Sequence, residues 1–349
     1  MNISIKKKIV YKKNNKKGLG FLDKYQPIFL LISIVLGLLI FKFFPSFSNK
    51  LISLVSVGVF LVIFFIMLGV DTSGILNAFK KLKPTTIAII INFLLTPFFA
   101  YLLGYLFLRN SPDIWVGLIL YLITPCIGWY LIFTELADGD VHLGIALLTW
   151  NVFLQIALMP VYMLVLAGKL ISFNIYNILY SVIIYLLLPF LLSRLIRWII
   201  IKTNKSVEDF SQKFKISYLK TFILMIVIVS MFASQGKILF ENPYIVIKMI
   251  LPGIIFFFSI FLISTIVAKM FRLNYQEYAL LVFTTTARNS EASLAIALTA
   301  FSSPLIPLTV VIGPSIELPV LIIILNLLKI IKSKNIFKKE EINEDSSSI

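Results

Sequence analysis

The sequence predicts an all-α membrane protein of about ten transmembrane helices, and three observations carry that prediction. Charged residues make up 14% of the 349 and hydrophobic residues 59%, with a mean hydropathy of +0.98; a soluble domain would be about 25% charged. Continuous apolar runs of spanning length recur along the chain, without the alternation of a transmembrane β-barrel. The basic residues are segregated by the side of those runs on which they fall.

A hydrocarbon core about 30 Å thick takes about 20 apolar residues per helix. Such runs lie at 26–44, 51–70, 84–108, 114–134, 141–167, 174–201, 217–239, 244–270, 278–301 and 303–331, numbered here as spans one to ten. Charged or turn-forming stretches separate them, as at 71–83, 135–140 and 202–215. With the N-terminus inside, 25 of the 32 Lys and Arg fall in inside segments. Six fall outside, namely Lys42, Lys50, Arg109, Lys169, Lys237 and Lys248, and Arg288 lies within a span. Both termini are therefore expected in the cytoplasm, on either side of a multi-pass domain in the cell membrane. The formal charge of +16 follows topology, so no nucleic-acid partner is expected. Residues 1–25 read as a basic N-terminal tail, 26–332 as the ten-helix domain and 333–349 as a C-terminal tail. The leading lysines resemble the start of a signal peptide, but the apolar run behind them is too long and lacks a small-residue cleavage site. One cysteine, Cys126, rules out an internal disulfide framework.

Many transporters are inverted repeats whose site forms where interrupted helices meet near the membrane midplane. Ten spans divide into repeat one, 26–168, and repeat two, 174–332, and spans four and nine each carry a polar interruption about a third of the way along. In span four it is Thr124-Pro125-Cys126-Ile127-Gly128, where proline removes a backbone donor and glycine loosens the next turn. In span nine it is Thr284-Thr285-Thr286-Ala287-Arg288-Asn289-Ser290-Glu291, which lipid would not tolerate. The following spans also correspond: Trp150-Asn151 with Gln155 in span five echoes Ile312-Gly313-Pro314 with Glu317 in span ten.

A charge deep in a membrane costs a few kcal/mol, which makes Arg288 the most informative residue. Glu291, three residues on, would share its helix face, and Glu317 could reach it from span ten. One reading is an ion pair that locks helices together; the other is an ion-coupling or substrate-contacting network. Cys126 is either a small buried hydrophobe or a soft ligand for a thiophilic solute such as trivalent arsenic or antimony. Asn92, Gln26 and Gln235 read as interhelical hydrogen-bonding groups rather than ligands. There is no phosphate-binding glycine loop, no zinc spacing and no nucleophilic triad, so an enzyme or ATP-driven pump is unsupported and no cofactor is expected.

At these same residues the chain resembles the arsenite permease family, within the wider superfamily of bile acid, arsenite and riboflavin transporters. The matching stretches begin Thr124-Pro-Cys-Ile-Gly-Trp-Tyr, Phe283-Thr-Thr-Thr-Ala-Arg-Asn-Ser-Glu and Ile312-Gly-Pro-Ser-Ile-Glu. The resemblance implies ten helices in an inverted five-plus-five repeat, with a panel and a core domain, and discontinuous helices four and nine crossing in the core. It also implies that a cysteine of span four and a glutamate of span nine are required for transport. Cys126 matches the first. Glu291 matches the second when the alignment is ungapped on Asn289; superposing Leu294-Ala-Ile-Ala297 instead would put Ser293 there. Arg288 stands where arsenite permeases carry the first of two asparagines. A guanidinium there would repel or replace a sodium ion, which favours proton coupling.

The expected function is thus secondary active transport, with efflux of arsenite or a related metalloid coupled to the proton gradient. Its partners are membrane lipid, arsenite or antimonite, and the coupling ion. Cys126, Pro125, Thr124, Arg288 and Asn289 are the expected substrate contacts, Cys126 holding the metalloid. Glu291, Glu317, Asn151, Gln155 and Ser290 are the expected ion-coupling residues. The alternative is a sodium- or proton-coupled organic-anion symporter of the bile acid kind, with Arg288 on the substrate's anionic group; a receptor with a transporter-like fold is a third class.

Overall fold

The computed structural model describes residues 21–69, 81–203, 207, 210–211, 214–241, 243–334 and 336–337. The expected tails at 1–25 and 333–349 lie outside the described residues except at 21–25, 333–334 and 336–337, and so does the side chain of Gln26. Among the described residues the regular structure is helical, with no strand. The main helices are α1 (Phe21–Phe43), α2 (Ile52–Gly69), α3 (Leu82–Phe107), α4 (Pro112–Leu122), α5 (Trp129–Leu136) and α6 (Val141–Ala167), followed by α7 (Ile175–Lys202), α8 (Ile216–Glu241), α9 (Pro243–Met270), α10 (Tyr275–Thr286), α11 (Ser290–Ala300) and α12 (Leu305–Ser333).

Six of these, α3, α6, α7, α8, α9 and α12, are long and apolar enough to cross a membrane, and shorter apolar helices accompany them. Helix is the structure these runs must take in lipid, because it satisfies every backbone N–H and C=O within the segment. The distribution of side chains agrees. Leu94 is 71% exposed, Ile247 70% and Phe98 68%, while Arg288, Glu317, Asn92 and Asn151 are buried. Apolar groups face outward and polar groups face each other.

Proline sets the irregularities. Pro97 cannot donate to the carbonyl of Phe93 four residues back, and α3 widens into a π-helical stretch over Ile91–Leu95 just before it. The freed Phe93 carbonyl accepts the hydroxyl of Tyr162 from α6. A second π-helical stretch, Ile183–Leu187, precedes Pro189 in α7.

Helix α8 packs along α1 and α2, and α7 packs on α2. Helix α12 packs on α4, α9 and α11, while α10 packs on α5 and α9. Glycine allows α4 and α12 to touch: a Cβ on Gly313 would lie 2.4 Å from Cζ of Tyr121, and one on Gly117 would lie 2.6 Å from Cβ of Thr309. Helix α10 starts with a capping box, in which Asn274 accepts from the Glu277 N–H and Glu277 accepts from the Asn274 N–H. Both expected interruptions appear as breaks in helix, between α4 and α5 and between α10 and α11.

Candidate functional site

Each break leaves backbone groups that no helix satisfies, and the two breaks satisfy each other. The Cys126 N–H donates to the Ala287 carbonyl at 3.0 Å, and the Asn289 N–H donates to the Thr124 carbonyl at 2.9 Å. Pro125 and Arg288 thereby face each other in an antiparallel bridge. Side chains reinforce it. The hydroxyls of Thr124 and Ser293 lie 2.6 Å apart, and Ser293 Oγ also donates to the Leu120 carbonyl at 3.2 Å. The first turn of α11 is thus tied to the last turn of α4.

Arg288 is 1% exposed and lies in this bridge rather than on a helix. Its Nη1 donates to the Leu122 carbonyl at 2.8 Å, Nε to the Thr286 carbonyl at 3.2 Å and Nη2 to Asn92 Oδ1 at 3.2 Å; Nη2 also donates to the Thr285 carbonyl. The guanidinium therefore caps the C-terminal ends of α4 and α10, where helix dipoles favour a cation. It sits 5.3 Å from the centre of the Phe256 ring. Among the described residues it forms no ion pair with a carboxylate. The expected shared face with Glu291 does not exist, because the helix stops at Thr286 and restarts at Ser290, so three-residue spacing no longer sets direction. Glu317 does reach Arg288, but through the backbone: Oε1 accepts the Arg288 N–H at 2.9 Å, and Oε2 accepts the hydroxyl of Tyr121.

Cys126 is buried, and its sulfur accepts hydrogen bonds from the Trp129 N–H at 3.2 Å and the Gly128 N–H at 3.4 Å. It lines a small cavity, with room for about one water molecule, together with Asn289, Glu291 and the α2 residues Val62, Ile63 and Ile66. Asn289 uses Oδ1 to cap α11 at the Ala292 N–H, 3.1 Å away, which leaves Nδ2 without a partner. Oε1 of Glu291 also lacks one. An unpaired buried donor and acceptor are costly, and here their residues line one cavity with the thiol.

Of the expected site residues, the structure brings Thr124, Pro125, Cys126, Arg288, Asn289, Glu291 and Glu317 to the crossing, with Ser290 buried in the first turn of α11. Asn151 joins from α6, donating to Thr284 Oγ1 at 3.2 Å. Gln155, one turn further on, is buried with both amide atoms unpartnered and bonds to none of the others. Asn92 makes the interhelical bonds expected of it, to the Thr284 carbonyl at 3.0 Å and to Arg288. Tyr121 and the apolar wall from α2 gave no signal in the sequence, since an aromatic and three branched residues within apolar spans read as packing. Gln235 is buried, and its Oε1 has no partner. No group of three or more His, Cys, Asp or Glu that could hold a metal ion occurs among the described residues.

One end of the bundle is stapled by charge. Lys81 Nζ lies 2.7 Å from Asp140 Oδ2 and 3.2 Å from Glu277 Oε1, and Asp140 also caps α6 at the Leu143 N–H. Burial alone would raise the Asp140 pKa, but the bonds from Lys81 and Leu143 outweigh it and hold the carboxyl below its ordinary value. A depressed carboxyl stabilises the fold above its unfolded pKa, and that contribution is lost as pH falls through the folded value. Asp140→Asn should therefore lower Tm by about 2 °C at neutral pH, a modest shift because Lys81 is partly exposed. The gap from the wild type should close below the usual carboxylate range. Calorimetry in detergent across pH checks this, and a gap independent of pH would remove the ionic explanation.

Residues 56–242 match the profile of the Sodium Bile acid symporter family. The chain is 28% identical over 325 residues to the arsenical-resistance protein Acr3 of Corynebacterium glutamicum, covering 87% of this chain and 88% of that one. It is 24% identical over 328 residues to the arsenical-resistance protein Acr3 of Alkaliphilus metalliredigens, covering 88% and 92%. An uncharacterized transporter of Synechocystis is 26% identical over 344 residues, covering 89% of each.

Proposed function

The chain belongs to the sodium bile acid symporter family, a family of membrane transporters rather than enzymes, and we propose that it exports trivalent arsenic or a related metalloid in exchange for protons. The similarity to two arsenical-resistance proteins over most of their length supports the solute. The observation that carries the mechanism is the single buried thiol at a cavity shared with Asn289 and Glu291, whose Nδ2 and Oε1 atoms lack hydrogen-bond partners.

In the proposed step the Cys126 thiol meets arsenous acid. A sulfur–arsenic bond forms, an arsenic–hydroxyl bond breaks, and the hydroxyl leaves as water with the thiol proton; nothing is oxidised or reduced. One thiol holds the solute weakly enough to let it go, whereas three together would trap it. In this step Asn289 Nδ2 and Glu291 Oε1 bond the remaining hydroxyls. Glu291 is also the proposed proton carrier, with Glu317 as a second carboxylate, and Asn151, Gln155 and Ser290 belong to the polar surroundings of that exchange. Arsenous acid is larger than the water-sized cavity, so loading requires α2 to move away from the crossing.

That motion fits the proposed architecture. Spans four and nine are the pairs α4 with α5 and α10 with α11, which gives ten spans over 26–332 as inverted repeats at 26–168 and 174–332. Helices α1, α2, α7 and α8 form the panel, and the rest form the core. Both termini lie in the cytoplasm of a cell-membrane protein, and the core rocks against the panel to expose the site alternately.

Arg288 supports proton rather than sodium coupling. Its guanidinium is a tethered cation among carbonyl and amide oxygens of the kind that would otherwise receive a metal ion. The same engagement opposes the organic-anion reading, since little of the guanidinium is left to hold a carboxylate. Everted membrane vesicles test this. Interior-acid vesicles should accumulate arsenite, lose that uptake with a protonophore and ignore sodium. Uptake of a bile acid without any of arsenite would overturn the reading.

A further inference from the structure

At the end of the bundle opposite Lys81, Asp140 and Glu277, a second and much larger cavity of about 720 Å³ opens between the start of α7, the end of α11 and the start of α4. Half of its lining residues carry a hydroxyl or amide, namely Ser172, Asn174, Asn177, Thr299, Ser302 and Ser303, and all but one of the rest are apolar. Among the described residues, Asp113 is the ionisable residue there, and no Lys or Arg lines it. Ser303 Oγ donates to Asp113 Oδ2 at 2.9 Å, which keeps that carboxylate at the wall. A surface of this kind gives an anion no cationic partner in its lining and offers both donors and acceptors to a neutral solute covered in hydroxyls.

One lining residue belongs to a hydroxyl pair. Thr299 Oγ1 of α11 lies 2.6 Å from Oγ of Ser181 of α7, which is fully buried. Thr299 is eight residues beyond Glu291, about 12 Å along the axis of α11 and about 80° around it. The buried Ile178, Val182 and Ala295 belong to the apolar packing of the same helices over that interval. The large cavity and the thiol cavity thus lie near the two ends of α11, with the Ser181–Thr299 contact at the end nearer the large cavity.

We propose that this vestibule is a second solute-binding station, selective for small neutral polyhydroxylated solutes and gated toward Cys126 by the Ser181–Thr299 pair. It rests on the transporter reading above, whose topology places it outside the cell, and it narrows the solute to the uncharged trihydroxy form. An exported molecule would pause there after leaving the thiol, and anions would be kept from re-entering.

The test uses the full chain carrying Cys126→Ser and Ser302→Cys, reconstituted in liposomes and labelled with a membrane-impermeant maleimide. Boric acid is neutral, trihydroxylated and indifferent to thiols. At about twice its Kd it should slow labelling about threefold, by simple occupancy. Benzenesulfonate at the same concentration should leave the rate unchanged, and adding Asp113→Lys should transfer protection to the sulfonate. Equal labelling with and without boric acid, in Ser302→Cys and in Asn177→Cys alike, overturns the station whether or not the wild type moves arsenite. Protection in the labelled chain, together with a wild type that moves no arsenite, upholds the station and refutes the metalloid reading instead.

Discussion

Cys126→Ser is expected to lower arsenite export by about 100-fold or more, equivalent to about 2.7 kcal/mol of lost transition-state stabilisation. The exchange of sulfur for oxygen keeps the side chain's size and its contacts with the Trp129 and Gly128 N–H groups, so the crossing should remain folded. What disappears is the soft ligand, because an alkoxyl has no preference for arsenic over water. Cells expressing the variant should accumulate arsenite like cells without the transporter, while the purified protein keeps its Tm. Export at the wild-type rate would remove the thiol from the mechanism and leave Glu291 and Asn289 as the working parts of the cavity.

Arg288→Gln is expected to have its main effect on stability. The substitution removes donors from the carbonyls of Leu122, Thr285 and Thr286 in a place water does not reach. Loss of about 2–4 kcal/mol follows if two of them stay unpaired. If the guanidinium stands where a cation would bind, sodium should partly repair the damage. Thermal unfolding in detergent should show the variant's Tm rising with sodium concentration and the wild type's not moving. A fall in Tm that no cation reverses would make Arg288 a structural clamp only, and the argument against sodium coupling would lapse.

Much of this arrangement was legible in the sequence, for identifiable reasons. Apolar runs of spanning length can only be helices in lipid, so the helical class followed from composition. Proline at 125 and the polar run from Thr284 to Glu291 are incompatible with an uninterrupted lipid-facing helix, and both breaks fall there. The partners of Arg288 were not legible. Side-chain spacing pointed to Glu291, but spacing has meaning only within a continuous helix, and the break that made Arg288 visible also cancelled that rule. Its real partners are mostly backbone carbonyls, which every residue carries. The α2 wall of the thiol cavity was hidden for a similar reason: Val62, Ile63 and Ile66 are what any apolar span would contain.

The pairing of the two breaks also bears on how the chain is made. Thr124 and Asn289 are 165 residues apart in sequence. At about 5–20 residues per second, roughly 10–30 s of synthesis separates the emergence of the first break from that of the second. During that interval the Thr124 carbonyl and the Cys126 N–H have no backbone partner, and an unsatisfied group in hydrocarbon costs several kcal/mol. The first break therefore has to wait in a wet place, at the insertion machinery or the membrane surface, until its complement arrives. The break between α4 and α5 is completed only by the break between α10 and α11.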